Sequence, residues 1–280
     1  MRLDSSDVIT SIVGLVIILV LVLMAIFAPF FAPYDPTAGS LGDRLKPPFW
    51  EKGGSSAHIL GTDVLGRDTL SRLIYGARTS LAVATVAILV AGSMGTSLGI
   101  VAGYLGGWVD SILMRAADLA FSFPTILLAM VLAVVFGASF LNIVLVISLV
   151  LWAEYARMAR GESLKVKEMD FVALAQVAGI SKPRIMIRHI FPNVASPLIV
   201  LATLQVGVVI IIESSLSFLG VGMPPPTPSW GSMIAEGRSY VVSAWWLSMV
   251  PGVAILVTVL SFNLLGDALT QLFNPAGQFR

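Results

Sequence analysis

LAFSFPTILLAMVLAVVFGASFLNIVLVISLVLWA, residues 119–153, runs for 35 residues without a charged side chain. As one straight helix it would be about 52 Å long at 1.5 Å per residue, against a hydrocarbon core of about 30 Å. A bilayer accepts such a stretch only if it folds in two. Gly137-Ala138-Ser139 and Asn142, near its middle, supply turn residues. The stretch therefore reads as a hairpin of membrane spans, a third near Leu119–Phe136 and a fourth near Leu141–Arg157.

The remaining spans follow on either side. A first lies at Ile9–Phe31 and closes on Pro29, Pro33 and Tyr34. The charge-free run around it exceeds the roughly 7–15 apolar residues of a signal-peptide core, so it reads as a retained helix rather than a cleaved leader. Only Arg2 precedes it, beside Asp4 and Asp7. A second span, Ser80–Val101, lies between Arg78 and Asp110, with Tyr104 and Trp108 as interface anchors. A fifth is expected at Ala195–Leu219 and a sixth at Trp245–Leu265, which Trp245 and Trp246 bring into the interface. The fold class is all-α integral membrane, with about six transmembrane helices.

Composition agrees. Of 280 residues 57% are hydrophobic and 12% charged, with a mean hydropathy of +0.92; soluble domains carry roughly 25% charged residues. A net charge of +1 gives no reason to expect a nucleic-acid partner. There is no cysteine, which excludes disulfides, thiolate metal sites and cysteine nucleophiles, and only His58 and His189 offer imidazole. His58 has no second ligand nearby in the sequence, so no metal site is expected. Three regions result: residues 1–78, a first helix plus a Pro-, Gly- and Ser-rich external segment; residues 79–268, a five-helix core containing a long polar connection at 154–193; and a tail at 269–280. Seven of the Lys and Arg residues fall in that connection, against four acids. With Arg2, Arg115 and Arg280 on the same side, the positive-inside rule places both termini in the cytoplasm.

The 154–193 connection is far longer than most helix–helix loops, yet it is patterned. Asp170 is expected to cap a short helix, Phe171–Ala178, with its acid at the positive end of the dipole. Gly179 supplies a left-handed stop. Ser181 then caps a second helix, with Pro183 in its first turn, and Pro192-Asn193 ends it. This is a basic helix–turn–helix at the membrane surface. The pattern by itself allows either an amphipathic interfacial hairpin without a partner or a docking knob.

Other residues invite two readings each. Glu213 lies inside the fifth span, where a charge costs about 2.5–3.5 kcal/mol on insertion scales. It is either a translocation-path or gate residue, together with Ser214 and Ser217, or a structural hydrogen-bond partner in the bundle. Asp267, near Asn263 and Gly266, reads as helix-end packing. Gly66-Arg67-Asp68 through Arg78 reads as an amphipathic helix on the outer surface, an elbow at the interface or a contact for another protein. Gly14, Gly92, Gly95, Gly99 and Gly103 read as close helix packing. Both histidines lie outside the spans and only Glu213 is read as deep, which disfavours an intramembrane protease. No internal repeat is evident, which disfavours a self-sufficient secondary transporter or channel.

Phe171-Val-Ala-Leu-Ala-Gln-Val-Ala-Gly179, followed by Ile185 to His189-Ile190-Phe191-Pro192-Asn193, resembles the EAA loop of bacterial ABC-importer permeases, in the dipeptide/oligopeptide/nickel branch. The glycine-to-proline spacing matches, while the glutamate of the motif is Ala173 and its first alanine Leu174, leaving only Ala175 of the triplet. Leu60–Leu81, Gly103–Asp110 with Arg115 and Asp118, Leu216–Gly222 with Pro225, Pro226 and Pro228–Gly231, and Phe262–Ala268 resemble the same branch, in order along the chain. The resemblance is to its C-type component, which carries an extra amino-terminal region. It implies the type I ABC importer permease fold and a multi-pass protein of the bacterial inner membrane. It also implies a second permease subunit in a heterodimer, two ABC ATPase subunits and an external solute-binding protein. The loop then holds a coupling helix for the ATPase, assigning that role to Phe171, Ala173, Leu174, Ala175, Gly179, Ile180, Ser181 and Arg184. No Gly-Lys pair occurs in the chain, so it has no phosphate-cradling P-loop. ATP and Mg would belong to the partners, with no cofactor, metal or catalytic residue on this chain. Branch members carry dipeptides, oligopeptides, glutathione or nickel complexes, and the sequence does not choose among them.

Overall fold

The computed structural model describes residues 5–273, with side chains from Thr10 onward; Arg2, Asp4, Arg280 and the tail beyond 273 lie outside the described residues, as does the side chain of Asp7. The chain begins with α1 (Ser5–Ile26) and a short α2 (Ala28–Phe31). Pro29 sits in the first turn of α2, and the expected single span to Phe31 is divided at Phe27. A long segment then leads to α3 (Thr69–Leu105). Gly66, at φ +75°, turns the chain into it, and Asp68 caps it by accepting from the Ser71 amide at 2.8 Å. The expected surface elbow is thus the first two turns of a 37-residue membrane helix, and the 78/79 boundary falls inside that helix. In that stretch Ser71 bonds to Asp68, and Arg72 to Asp63 and Glu236, which holds the helix to the cap rather than bent onto the surface.

The third span also differs from expectation. It is a bent pair, α4 (Gly107–Phe121) and α5 (Thr125–Phe136), crossing at 92°. Pro124 disfavours helical backbone at Phe123 and cannot donate to the preceding turn, so the helix stops at Ser122. The hairpin turn lies where expected: Gly137 has φ +81°, and Ser139 caps α6 (Phe140–Lys167) by accepting from the Asn142 amide at 3.1 Å. α6 continues past Arg157 for ten residues, which removes 154–167 from the predicted loop. Then come α7 (Asp170–Val177), α8 (Lys182–Ile185) and α9 (Phe191–Phe218). Pro192 does not separate a hairpin helix from the fifth span. A π-turn over Met186–Ile190 joins α8 to α9, with the Phe191 amide donating to Met186 O five residues back. The wider turn accommodates a residue that lacks the N–H for regular register. Finally α10 (Trp230–Gly237) precedes α11 (Trp246–Phe273).

α3, α6, the continuous Lys182–Phe218 and α11 are each long and apolar enough to cross a membrane, and the bent pair can make a fifth. α1 is a shorter apolar helix over Thr10–Ile26, so the described residues give four or five spans by length against the six expected. The bundle is built on α3 and α6. A Cβ on Gly95, Gly99 or Gly103 of α3 would lie 2.7, 2.8 and 2.8 Å from the Cβ atoms of Tyr155, Ala159 and Ser163. Four-residue spacing of glycine lets the two backbones touch along a stripe, the small-residue solution to packing without a hydrophobic driving force. Gly14 plays the same part where α1 crosses Ser261 and Leu264 of α11.

One end of the bundle is capped by residues 33–68 and α10. Trp246, expected as an interface anchor, is instead buried and donates to Thr62 O at 3.2 Å, while Trp245 donates to Glu51 Oε1 at 2.7 Å. Tyr104 is buried too; Trp108 is exposed. The hairpin α7–α8 lies at the other end, with Ser5 and Phe273.

Candidate functional site

The hairpin is shaped by its backbone. Gly179 has φ +74°. Its amide donates to Gln176 O at 3.0 Å and the Ile180 amide reaches back to Ala175 O at 3.1 Å. These two bonds form a Schellman stop and fix where the chain leaves α7. At the other end Met169, not Asp170, occupies the N-cap, and no side chain caps the helix; Asp170 is the first helical residue, where its charge still favours the dipole. Ser181 is likewise at the N-cap of α8 without a side-chain bond.

The predicted residues divide by burial. Val172 and Ala175 are buried against the bundle and Ile180 is half-buried. Phe171, Ala173, Leu174, Gly179, Ser181 and Arg184 are exposed. Ala175 therefore seats the helix rather than presenting itself to another molecule. Phe171, Leu174 and Val177, three residues apart, form an apolar ridge on the outer side, with Leu174 68% and Val177 88% exposed. A recess of about 380 Å³ lies behind the hairpin, between Tyr104, Lys167, Gln176 and Lys182. A rigid short helix with a bare apolar ridge suits insertion into a groove of another protein.

Glu213 is enclosed. Its side chain is fully buried within the chain, accepting from Ser80 Oγ at 3.1 Å and Ser217 Oγ at 2.8 Å. Ser229 Oγ donates on to Ser217 Oγ at 3.3 Å, and Ser214 is buried nearby. Of the two sequence readings, the geometry matches the structural hydrogen-bond partner: this carboxylate joins α3, α9 and the entry to α10. Asp267 is exposed. His58 Nδ1 meets Asp68 Oδ1 at 3.0 Å and stacks on Tyr34.

Two polar clusters escaped the sequence reading. In the cap, Arg67 Nε donates to Asp63 Oδ2 at 2.6 Å and Arg72 also bonds that oxygen. Glu236 of α10 accepts from Arg67 at 2.7 Å and from both terminal nitrogens of Arg72, at 2.8 and 3.0 Å. Burial raises the Asp63 carboxyl pKa, but the Arg72 charge, the Arg67 amide and charge and the Leu65 amide outweigh it and hold the group below its ordinary value. Arg72 is only nine positions from Asp63, whereas Glu236 is 164 positions from Arg72 and carried no local signal. In the bundle, Gln205 Nε2 of α9 donates to Glu154 Oε2 of α6. The polar residue in the middle of the fifth span was the available sign.

The comparisons with known proteins accord with this geometry. A family model described as binding-protein-dependent transport system inner membrane component matches residues 95–276, and one described as the N-terminal TM domain of oligopeptide transport permease C matches residues 10–48. The dipeptide transport system permease protein DppC of Haemophilus influenzae is 40% identical over 265 residues, 95% of this chain and 90% of that protein. Its namesake in Escherichia coli K12 is 45% identical over 265 residues, 95% of this chain and 88% of that one. The glutathione transport system permease protein GsiD of Pectobacterium atrosepticum is 42% identical over 224 residues, 80% and 74% of the two chains. Among solved structures, a chain of the MetNI methionine ABC transporter in an inward-facing conformation matches with a TM-score of 0.58 at 14% identity, over 71% of this chain and 95% of that one, a likeness of fold.

Proposed function

The chain belongs to the family of binding-protein-dependent transport system inner membrane components, and on that premise we propose that it forms half of an import path for a peptide or related small solute, driven by ATP hydrolysed elsewhere. It is a membrane-spanning permease subunit with the type I importer fold. The other half is a second, different permease chain. Two ATPase subunits hold the ATP and Mg, and an external binding protein delivers the solute. The α7 hairpin faces the cytoplasm with both termini, and the 33–68 cap faces outward, in the bacterial inner membrane. The carrying observation is the exposed Phe171-Leu174-Val177 ridge on a helix rigidly stopped at Gly179, in a chain that has no P-loop of its own. Such a helix transmits force as a handle: the partner closes on ATP, the ridge moves with it, and α6 and α9, which flank the hairpin, rock the bundle between outward and inward access.

Dipeptides or glutathione, the cargoes named for relatives, support a peptide or related small solute. The test is expression with the candidate partner subunits. The chain is expected to co-purify with an ATPase and to support ATP-dependent uptake, and alone to hydrolyse no ATP. A chain that transports without an ATPase would be a self-sufficient transporter, and the proposal would fail.

A further inference from the structure

Glu154 is an acidic side chain within a membrane span. On α6 it adjoins Tyr155, which packs on Gly95 of α3. That glycine lies in the middle of the charge-free stretch between Arg78 and Asp110. Its hydrogen-bond partner, Gln205, is at the midpoint of α9, about 26 Å along the helix from Arg188 at 1.5 Å per residue. Gln205 is therefore near the middle of its span, and Glu154 lies inside the fourth span, three residues before its end at Arg157. Glu154 is nevertheless exposed on the surface of the chain. Within a span a charged side chain turns to a partner or to a water-filled cavity.

Among the described residues no cation is paired with it. Arg157 and Arg160, the next basic residues on α6, are engaged by Asp118 at 2.7 Å and by Asp110 at 2.5 Å. What the chain supplies is an amide. Gln205 is only 3% exposed and donates through Nε2 to Glu154, and among the described residues its buried Oε1 has no partner. The carboxylate is thus an exposed acceptor at the surface of the bundle, held in place by a buried amide whose own oxygen is shielded. A primary ammonium group carries N–H donors and one positive charge, which match that carboxylate.

We propose that Glu154, oriented by Gln205, is a cation-accepting station on the translocation path that takes the ammonium group of the solute inside the membrane. This rests on the reading of the chain as half of an importer. Dipeptides and glutathione share a free primary ammonium, and a single carboxylate held by one amide binds it weakly enough to release it, as conduction requires.

Because the chain has no cysteine, Glu154→Cys creates one thiol whose reactivity reports what the position faces. The test uses the complete complex, built with cysteine-free partners, in proteoliposomes. The thiol is expected to react with water-soluble 2-aminoethyl methanethiosulfonate. Glu154→Gln is expected to lower ATP-driven uptake of labelled alanyl-alanine or glutathione about tenfold or more, the size of one lost charge-assisted hydrogen bond. Glu154→Asp restores part of the rate, and co-purification with the ATPase is unchanged throughout. Reaction only with a lipid-soluble maleimide, no reaction at all because a second subunit seals the position, or full uptake by Glu154→Gln would each overturn the station. A wild-type complex that lacks ATPase or ATP-driven uptake would instead overturn the importer reading, and the thiol result would still judge what Glu154 faces.

Discussion

Two glutamates in apolar helices show that depth alone does not decide a role. Glu213 and Glu154 both lie within spans, but one is sealed by serine hydroxyls and the other is open at the surface. Replacing Glu213 by alanine leaves Ser80 and Ser217 without their acceptor. Each abandoned buried group costs about 1–3 kcal/mol, so Glu213→Ala is expected to lower the thermal denaturation temperature of the purified chain clearly. Ser80→Ala, which removes one donor of two, is expected to have a smaller effect. An unchanged melting profile for Glu213→Ala would remove its structural role. The cost of burying Glu213 is legible in the sequence; its partners are not, because Ser80 is 133 positions away.

At the scale of elements, glycine does two separate jobs. Gly179 provides a positive φ, which costs other residues about 1–2 kcal/mol. Gly179→Val is therefore expected to shift the exit from α7 and uncouple ATP hydrolysis from uptake, read as a higher ratio of ATP consumed to solute imported, with the helices still inserted. Deleting 171–178 should uncouple the complex outright. Gly99 instead provides closeness: Gly99→Val would press on Ala159 and cost about 1–3 kcal/mol of stability by overpacking. Gly161 of α6 meets nothing within 4 Å, so Gly161→Ala serves as the control and should leave the denaturation temperature equal or higher. The left-handed stop was readable from one residue and its neighbours. The span boundaries were less so: Pro124 broke a helix drawn through it, whereas Pro192 ended nothing, because a π-turn absorbed it. Whether a proline interrupts depends on what can satisfy the freed carbonyls, and neighbouring helices decide that.

At the scale of the molecule, the cap is held by charges from three segments. Asp63 has a folded-state pKa below its ordinary 3.8, so its contribution is fully present above that value and is lost as pH falls through the folded one. The cap is expected to stay closed at neutral and mildly acid pH and to loosen only below about pH 4, the ordinary carboxylate range. Fluorescence of Trp245 and Trp246 reports this. Asp63→Asn leaves Arg72 short of one acid and should destabilise by about 3 kcal/mol at neutral pH, with the acid step reduced. A fluorescence change centred at pH 6 or above would contradict this assignment.

The sequence by itself determined what depends on composition and spacing along the chain: a multi-span helical membrane protein, the turn at 137–139, the stop at Gly179, the glycine stripe of α3 and the absence of a P-loop. These are local or additive properties, set by hydropathy, helix rise and the conformational range of single residues. Tertiary structure alone decided which polar side chains meet. It buried Glu213, opened Glu154 beside Gln205, turned Trp246 from the membrane into the cap, and tied Asp63 to Arg72 and Glu236. A hydrogen bond or ion pair is made by proximity in space, and residues from different helices become neighbours only once the bundle has closed.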